Sequence, residues 1–320
     1  MTLERIFFMD GRLRPLWRCC LACQLLVIAY LVSGTIVESA YGVLRIHPGG
    51  FEAYFWGAVV VLLEILAIYK LMTAVFEQRP LGSVGLAFHR CWWKEFAHGF
   101  AVAAVMILTL AVLEWVGGFV EFTPAREPLL RVASLPLVVL SVAAINEEAI
   151  FRGYPFQRLV ESLTPAGAIL VSSAGFGLVH LGNPHHTWFS TANTMLVGIP
   201  LAIAYLRTRS LWMPIGIHFT WNFFMGFLLG LPLSGISIPV SVLEASVHGP
   251  AWVTGAEYGP EGGMVATLVI VAATGYLLFS KRIYTSEEMK NLVLGPLPAR
   301  GPDRILSILA TSSQEESKRV

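Results

Sequence analysis

Long apolar stretches separated by short polar segments dominate the hydropathy pattern of this chain. A helix needs about 20 predominantly apolar residues to cross the hydrocarbon core of a bilayer. Eight stretches meet this requirement: 17–36, 54–77, 95–119, 131–163, 166–183, 190–206, 211–230 and 263–280. The fourth is too long for one simple span, so we expect it to tilt or to project beyond the bilayer. The pattern predicts an all-α polytopic membrane protein, a bundle of about eight transmembrane helices.

The polarity of the chain changes near its C-terminus. We predict one transmembrane domain over residues 1–283 and a disordered cytoplasmic tail over residues 284–320, because the end of the chain, TSSQEESKRV, is polar throughout. Neither an internal repeat nor a second soluble domain is visible in the sequence.

Lys and Arg residues predict the orientation of the bundle, because loops on the cytoplasmic side are enriched in them. With the N-terminus in the cytoplasm and alternating spans, most of the 22 basic residues fall on that side. The loop 231–262 falls on the opposite side and contains Glu but no Lys or Arg. We therefore expect both termini in the cytoplasm.

Composition supports the membrane class, since 55% of the residues are hydrophobic and only 13% are charged, against about 25% in soluble domains. The net charge of +1 argues against a nucleic-acid partner. Three of the four cysteines cluster at the first apolar stretch and do not indicate a disulfide framework. Cys20 and Cys23 form a C-x-x-C, but no second pair completes a zinc site.

Charged residues interrupt the fourth apolar stretch at Glu147, Glu148 and Arg152. Such groups are costly in hydrocarbon, so they usually face a protein interior or a wet cavity and mark function. Two further polar sites follow on apolar helices, at His180 and at His218 with Asn222. These sites predict a polar cavity inside the bundle.

Counting residues from the turn at Thr164 predicts that the carboxylates and His180 lie at the same depth. Glu147 and His180 are nearly equidistant from this turn, which gives a height difference of about 2 Å in an antiparallel hairpin. Pro165 suits the first turn of the second helix of that hairpin. A looser estimate from Arg209 places His218 roughly 13 Å above the cytoplasmic boundary.

The helical spacing assigns different roles to the two carboxylates. Glu148 and Arg152 are at i,i+4 and can pair directly. Glu147 points about 100° away, which leaves it free to act as a general base. His218 and Asn222 share one helix face and offer two donors for an oxyanion. Phe176 shares a face with His180 and is expected to form a packing wall.

Structural explanations exist for each site taken alone. The acidic pair with Arg152 could form an ion network, and His180, or His218 with Asn222, could bond neighbouring helices. A purely structural role does not readily explain why all three sites lie at the same depth. His185 and His186 follow Asn183-Pro184 and are expected in a solvated loop. Glu64 is a further intramembrane carboxylate to which we assign no role.

The three sites together resemble the pattern of the CPBP intramembrane protease family, which includes the CAAX prenyl proteases. The family pattern is E-E-x-x-x-R, then F-x-x-x-H, then H-x-x-x-N or D. In this chain the pattern reads Glu147-Glu148…Arg152, Phe176…His180 and His218…Asn222. The motifs cover a core of roughly 131–230, and the first three spans carry none.

The resemblance implies hydrolysis of a peptide bond in a membrane cavity, by one of two mechanisms. In the glutamate mechanism, Glu147 and His180 activate water, and His218 with Asn222 hold the oxyanion. In the metal mechanism, Glu147, His180 and His218 bind one divalent ion such as zinc, which lowers the pKa of water. The sequence permits either, with no cofactor or one metal, and we favour the glutamate mechanism because Asn222 is a poor zinc ligand.

Three functions are compatible with these features. The first is an endopeptidase of a bacterial plasma membrane, whose partners are the bilayer and a membrane-associated protein or peptide, with CAAX-type processing as one option. The second is a non-enzymatic scaffold or immunity protein that retains the protease fold. The third is a proton-coupled transporter. Inverted repeats would favour this function, and none is visible in the sequence.

Overall fold

The computed structural model describes residues 6–9, 12–45, 50–125 and 134–295. Arg5, Arg126, Arg131 and the tail from residue 296 lie outside the described residues. The helices are α1 (Pro15–Leu44), α2 (Gly50–Met72), α3 (Trp92–Val116), α4 (Ser134–Arg152), α5 (Tyr154–Ser162), α6 (Pro165–Val179), α7 (Trp188–Thr208), α8 (Trp212–Asn222), α9 (Ala251–Thr254), α10 (Met264–Phe279) and α11 (Glu287–Met289). The strands are β1 (Phe8–Met9), β2 (Arg12–Leu13), β3 (Val120–Pro124) and β4 (Leu243–Val247). π turns extend α2 over Thr73–Glu77, α8 over Phe223–Leu228 and α11 over Lys290–Leu294, and a 3-10 turn, His180–Gly182, follows α6.

Helices long and apolar enough to cross a membrane number six in the described part of the chain. They are Pro15–Leu44, Ala53–Glu77, Trp92–Val116, Ser134–Ser162, Pro165–Gly182 and Trp188–Thr208. The predicted all-α polytopic membrane protein is thereby confirmed. The last two predicted spans, 211–230 and 263–280, are shorter: α8 with its π turn ends at Leu228, and α10 has 16 residues.

The long fourth stretch is broken in two, since α4 ends at Arg152 and α5 begins at Tyr154. Pro155 has no backbone N–H, so it cannot donate to the carbonyl of Phe151 one turn earlier. The Ser172 hydroxyl of α6 donates to that carbonyl instead, at 2.8 Å. This substitution of partners lets the chain turn directly after the acidic motif. Residues 131–133 of the predicted stretch lie outside the described residues.

Helix α8 forms the centre of the bundle, because every side chain from Met213 to Asn222 is buried. It packs against α3, α4 and α7. Two glycines set its closest approach to α3: a Cβ on Gly216 would lie 2.4 Å from the Phe96 carbonyl oxygen, and one on Gly99 would lie 2.2 Å from that of Met213. The helix that carries His218 and Asn222 is therefore held by backbone contacts.

A buried ion network ties α1, α2 and α5 together at one end of the bundle. Glu77 Oε1 lies 2.6 Å from Arg18 Nη1 and 2.7 Å from Arg158 Nη1. The Tyr154 hydroxyl donates to the same oxygen at 2.8 Å. Two guanidinium groups and a hydroxyl thus satisfy one buried carboxylate.

Residues 287–294 are helical and docked at this same end; they belong to the stretch 284–320 that the sequence analysis predicts as a disordered tail. Arg79 donates to the carbonyl oxygens of Leu292 at 2.9 Å and Val293 at 2.5 Å, and also to that of Gly295. Met289 is fully buried. The polar composition of this segment gives no sign of the docking, because its carbonyl groups are bonded by Arg79, which lies more than 200 residues earlier in the chain.

Two connecting segments meet at the opposite end of the bundle. β3, which follows α3, pairs antiparallel with β4, with Val120 opposite Val247 and Pro124 opposite Leu243. β4 belongs to the segment 231–263, which returns the chain from α8 to α10. This segment lies beside the elements that carry the two motif histidines.

We expect Gly216→Ala to lower the free energy of unfolding by about 1–3 kcal/mol, the usual range for overpacking, because its new methyl group meets backbone that cannot rotate away. Thermal unfolding in detergent measures the change. Gly275→Ala in α10 is the matched control, since a Cβ there meets nothing within 4 Å, and it should not destabilise the protein. Equal unfolding temperatures for the two variants would contradict this account of the α3–α8 contact.

Candidate active site

Two histidine side chains from different parts of the chain lie close to one carboxylate oxygen of Glu147, which is carried by α4. His180 Nε2, directly after α6, lies 3.9 Å from Glu147 Oε2. His218 Nε2, in α8, lies 3.8 Å from the same oxygen. The structure thus brings together the acidic motif and both histidines, as the depth estimate from the sequence predicts.

The neighbouring carboxylate of Glu148 is completely buried and ion-paired. Arg152 Nη1 donates to Glu148 Oε1 at 3.0 Å, and Arg152 Nη2 donates to the Gly198 carbonyl of α7 at 3.1 Å. The guanidinium carbon lies 4.6 Å from the centre of the Phe176 ring, a cation–π geometry. Arg152 therefore connects α4 with α6 and α7.

His218 makes a contact that the sequence analysis did not predict. Its Nδ1 lies 2.7 Å from Glu148 Oε1. Because a carboxylate only accepts, Nδ1 carries the proton. The imidazole ring consequently bridges the two carboxylates, with Nδ1 bonded to Glu148 and Nε2 facing Glu147. No sequence spacing signals this bridge, since Glu148 and His218 are 70 residues apart.

His180 is oriented by a different kind of partner. Its Nδ1 donates to the Phe176 carbonyl at 2.7 Å, one turn earlier on α6. The ring centres of Phe176 and His180 lie 4.8 Å apart. Since a carbonyl can only accept, Nδ1 holds a proton, and Nε2 is the ring nitrogen that faces Glu147. Phe176 thus orients His180 through its backbone and contacts Arg152 through its ring.

Exposure separates the two carboxylates. The side chain of Glu147 is 32% exposed, whereas that of Glu148 is not exposed at all. His180 and His218 are 15% and 9% exposed. Of the acidic pair, Glu147 is therefore the one whose side chain is partly exposed, although its Oε2, which faces the histidines, is buried and has no hydrogen-bond partner among the described residues.

Asn222 lies one turn after His218 and is buried as the last residue of α8. Asn146, which precedes Glu147, donates through Nδ2 to the Ala58 carbonyl of α2 at 2.8 Å. The sequence analysis missed this anchor, although a polar residue on an apolar helix beside the acidic pair was a visible signal. Asn146 ties the helix that carries Glu147 to α2.

The remaining polar residues singled out in the sequence lie apart from this cluster. His185 Nδ1 is 2.8 Å from Glu257 Oε2, and both side chains are exposed. His186 is exposed and bonds to the Asn183 carbonyl. Glu64 is partly exposed on α2, and its Oε2 has no hydrogen-bond partner among the described residues. These groups add no ligand or base to the cluster.

Glu147 Oε2, His180 Nε2 and His218 Nε2 are the atoms that could act as ligands of a metal ion. Two ligands of a tetrahedral zinc ion, with bonds of about 2.0–2.1 Å, lie about 3.3 Å apart, whereas these atoms are separated by 3.8 and 3.9 Å. In residues 6–9, 12–45, 50–125 and 134–295, no group of three His, Cys, Asp or Glu side chains is arranged to hold a metal. The three atoms therefore do not form a preassembled zinc site.

Comparison with known proteins points to one family. Residues 130–224 match the family model described as Type II CAAX prenyl endopeptidase Rce1-like. The chain is also 33% identical over 106 residues to the "Putative membrane peptidase YdiL" of Bacillus subtilis (strain 168), a match that covers 33% of this chain and 41% of that relative. The chain thus spans less than half the length of the relative that it matches. No solved structure matches it.

The family match and the site geometry concern the same part of the molecule. The matched residues 130–224 contain α4 to α8 and every residue of the converging cluster. Residues 130–224, which carry the cluster, are therefore similar to the Rce1-like family over the same part of the chain that forms the site.

Proposed function

We propose that this protein is an intramembrane endopeptidase that hydrolyses a peptide bond in a membrane-associated protein or peptide. The convergence of His180 Nε2 and His218 Nε2 on Glu147 Oε2, a buried atom without a hydrogen-bond partner among the described residues, carries the proposal. A carboxylate with two imidazole nitrogens beside it suits the removal of a proton from a water molecule admitted with the substrate. The family match supports the same class of reaction.

The Nδ1 partners give the two histidines different roles. His180 donates from Nδ1 to a backbone carbonyl, which leaves its Nε2 as the atom that can exchange a proton with Glu147. His218 donates from Nδ1 to the Glu148 carboxylate, which stabilises a protonated ring with an Nε2–H to donate. His180 is thus suited to support a base and His218 to stabilise an oxyanion.

The charges of the cluster balance under this assignment. Glu147 and Glu148 carry two negative charges, and Arg152 with a protonated His218 carries two positive charges. A balanced set costs less in an apolar bundle than a set with a net charge. This balance favours the glutamate mechanism, since a metal ion on the same donors would require a neutral His218.

The reaction then proceeds with the residues of this chain alone. Glu147, supported by His180, takes a proton from water as the water oxygen forms a bond to the carbonyl carbon of the substrate. His218 Nε2–H and the Asn222 amide donate to the oxyanion that develops. Glu147 returns the proton to the leaving nitrogen as the C–N bond breaks.

Replacing Glu147 or His180 by Ala should reduce cleavage by at least about 100-fold, because each variant removes a group that accepts the proton. Cleavage is measured on a panel comprising a prenylated C-terminal peptide, its unprenylated counterpart and a single-span reporter protein. Glu257→Ala, an exposed carboxylate away from the site, is the matched control.

The unfolding temperature of the same variants separates this proposal from a non-enzymatic scaffold. A catalytic Glu147 can be replaced while the protein stays folded, whereas a structural one cannot. Full cleavage by either variant would exclude the mechanism, and cleavage lost only together with folding would favour the scaffold.

Asn222→Ala should lower kcat by about 100- to 1000-fold with little change in KM, since an oxyanion donor acts on the transition state. Steady-state kinetics on the cleaved member of the panel measures both constants. An increase in KM at constant kcat would instead assign Asn222 to substrate binding.

Chelators should leave cleavage unchanged, because the separations of Glu147 Oε2 from the two histidine Nε2 atoms are longer than those between ligands of a tetrahedral zinc ion. The assay is run with and without chelator beside metal analysis of the purified protein. Loss of cleavage on chelation that is restored by one divalent metal would favour the metal mechanism.

A further inference from the structure

The carboxylate of Glu261, in the segment 231–263, accepts hydrogen bonds from two distant parts of the chain. Oε1 accepts from the indole Nε1 of Trp221 at 2.9 Å. Oε2 accepts from the backbone N–H of Ser234 at 2.7 Å and from its hydroxyl at 2.5 Å. All three partners are donors, which suits an ionised carboxylate that can only accept.

The backbone around Glu261 is fixed as well. Asn193, near the start of α7, donates from Nδ2 to the carbonyl oxygens of Glu261 and Gly263, both at 2.9 Å. The Thr267 hydroxyl of α10 donates to Asn193 Oδ1 at 2.7 Å. The carboxylate therefore projects from a backbone that is held against α7 and α10.

The same segment also reaches the connection after His180. Gly235 has φ +83°, and a Cβ there would lie 2.0 Å from the Pro184 carbonyl oxygen. Its N–H donates to the Tyr258 carbonyl at 2.8 Å. The segment thus packs against the α6–α7 connection on one side and bonds to α8 on the other.

Trp221 is well placed to set the rotation of α8 about its axis. At 100° per residue, its side chain points about 60° from that of His218 and about 100° from that of Asn222. Trp221 is buried, and its indole is directed to Glu261 and not to Glu147. Fixing the indole N–H therefore fixes the directions of His218 and Asn222 without placing Trp221 at the site.

We propose that Glu261 is a positioning residue, which acts through Trp221 to hold His218 and Asn222 towards Glu147. This inference rests on the proposed function of the same site. Rotation of α8 by a few degrees would lengthen the 2.7 Å contact between His218 and Glu148 and misdirect the oxyanion donors. Displacements of about 1 Å in a catalytic constellation cost about 100-fold in rate.

The test compares Glu261→Ala, Trp221→Phe and the double variant in the full-length protein. Trp221→Phe keeps an aromatic ring and removes the indole N–H, so it reports on the hydrogen bond even where Glu261→Ala impairs folding. Glu257→Ala, a few residues away in the same segment and exposed, is the matched control. Unfolding temperatures in detergent identify variants that lose the fold.

Two readouts are used, one of which needs no substrate. We expect each single variant to lower kcat by about 10- to 100-fold with KM within about twofold of its original value. The imidazole ¹⁵N resonances of His218, in protein labelled at histidine, should shift in both variants and not in Glu257→Ala. The kcat of the double variant should equal that of the less active single variant, because both changes break the same hydrogen bond.

Each outcome has a defined meaning. Trp221→Phe with unchanged kcat and unchanged His218 resonances would overturn the proposal, as would losses that add in the double variant. If the unaltered protein cleaves none of the panel peptides, the proposed function fails, while the His218 resonances still decide whether Glu261 positions α8.

Discussion

The fully buried carboxylate of Glu148 is the constraint on which the rest of the site depends. An unpaired ionised group in an apolar bundle is strongly destabilising, so this carboxylate requires partners from its surroundings. Arg152 supplies one from the same helix and His218 supplies the other from α8. Because Arg152 also bonds to Gly198, a single buried acid fixes the relative positions of α4, α7 and α8.

This arrangement gives the adjacent side chains of Glu147 and Glu148 different surroundings. Successive side chains on a helix diverge by about 100°, so Glu148 can be ion-paired inside the protein while the side chain of Glu147 stays partly exposed. The bond from Glu148 also fixes the tautomer of His218. His180 receives its orientation from a neutral carbonyl instead. Two chemically identical rings thus face the same oxygen with different capacities to give or take a proton.

The sequence predicted contacts that depend on spacing within one helix or on counting from one turn. The Glu148–Arg152 pair follows from i,i+4 spacing, and the proximity of Glu147 to His180 follows from their distances to Thr164. The bridge by His218 depends on the rotation and depth of α8, to which close glycine contacts with α3 contribute. Hydropathy alone does not distinguish α8, which is buried along its whole length, from a helix that faces lipid. Pro155 was the visible signal for the break in the fourth stretch.

Glu148 and Arg152 lie on one helix, so their ion pair needs no other span in order to form. The nascent α4–α6 hairpin can therefore partition into lipid with part of its charge already neutralised. His218 follows Glu148 by 70 residues, so its bond to Glu148 can form only after α8 has been synthesised. The first partner of the buried acid is thus available early to the growing chain, and the second arrives with α8.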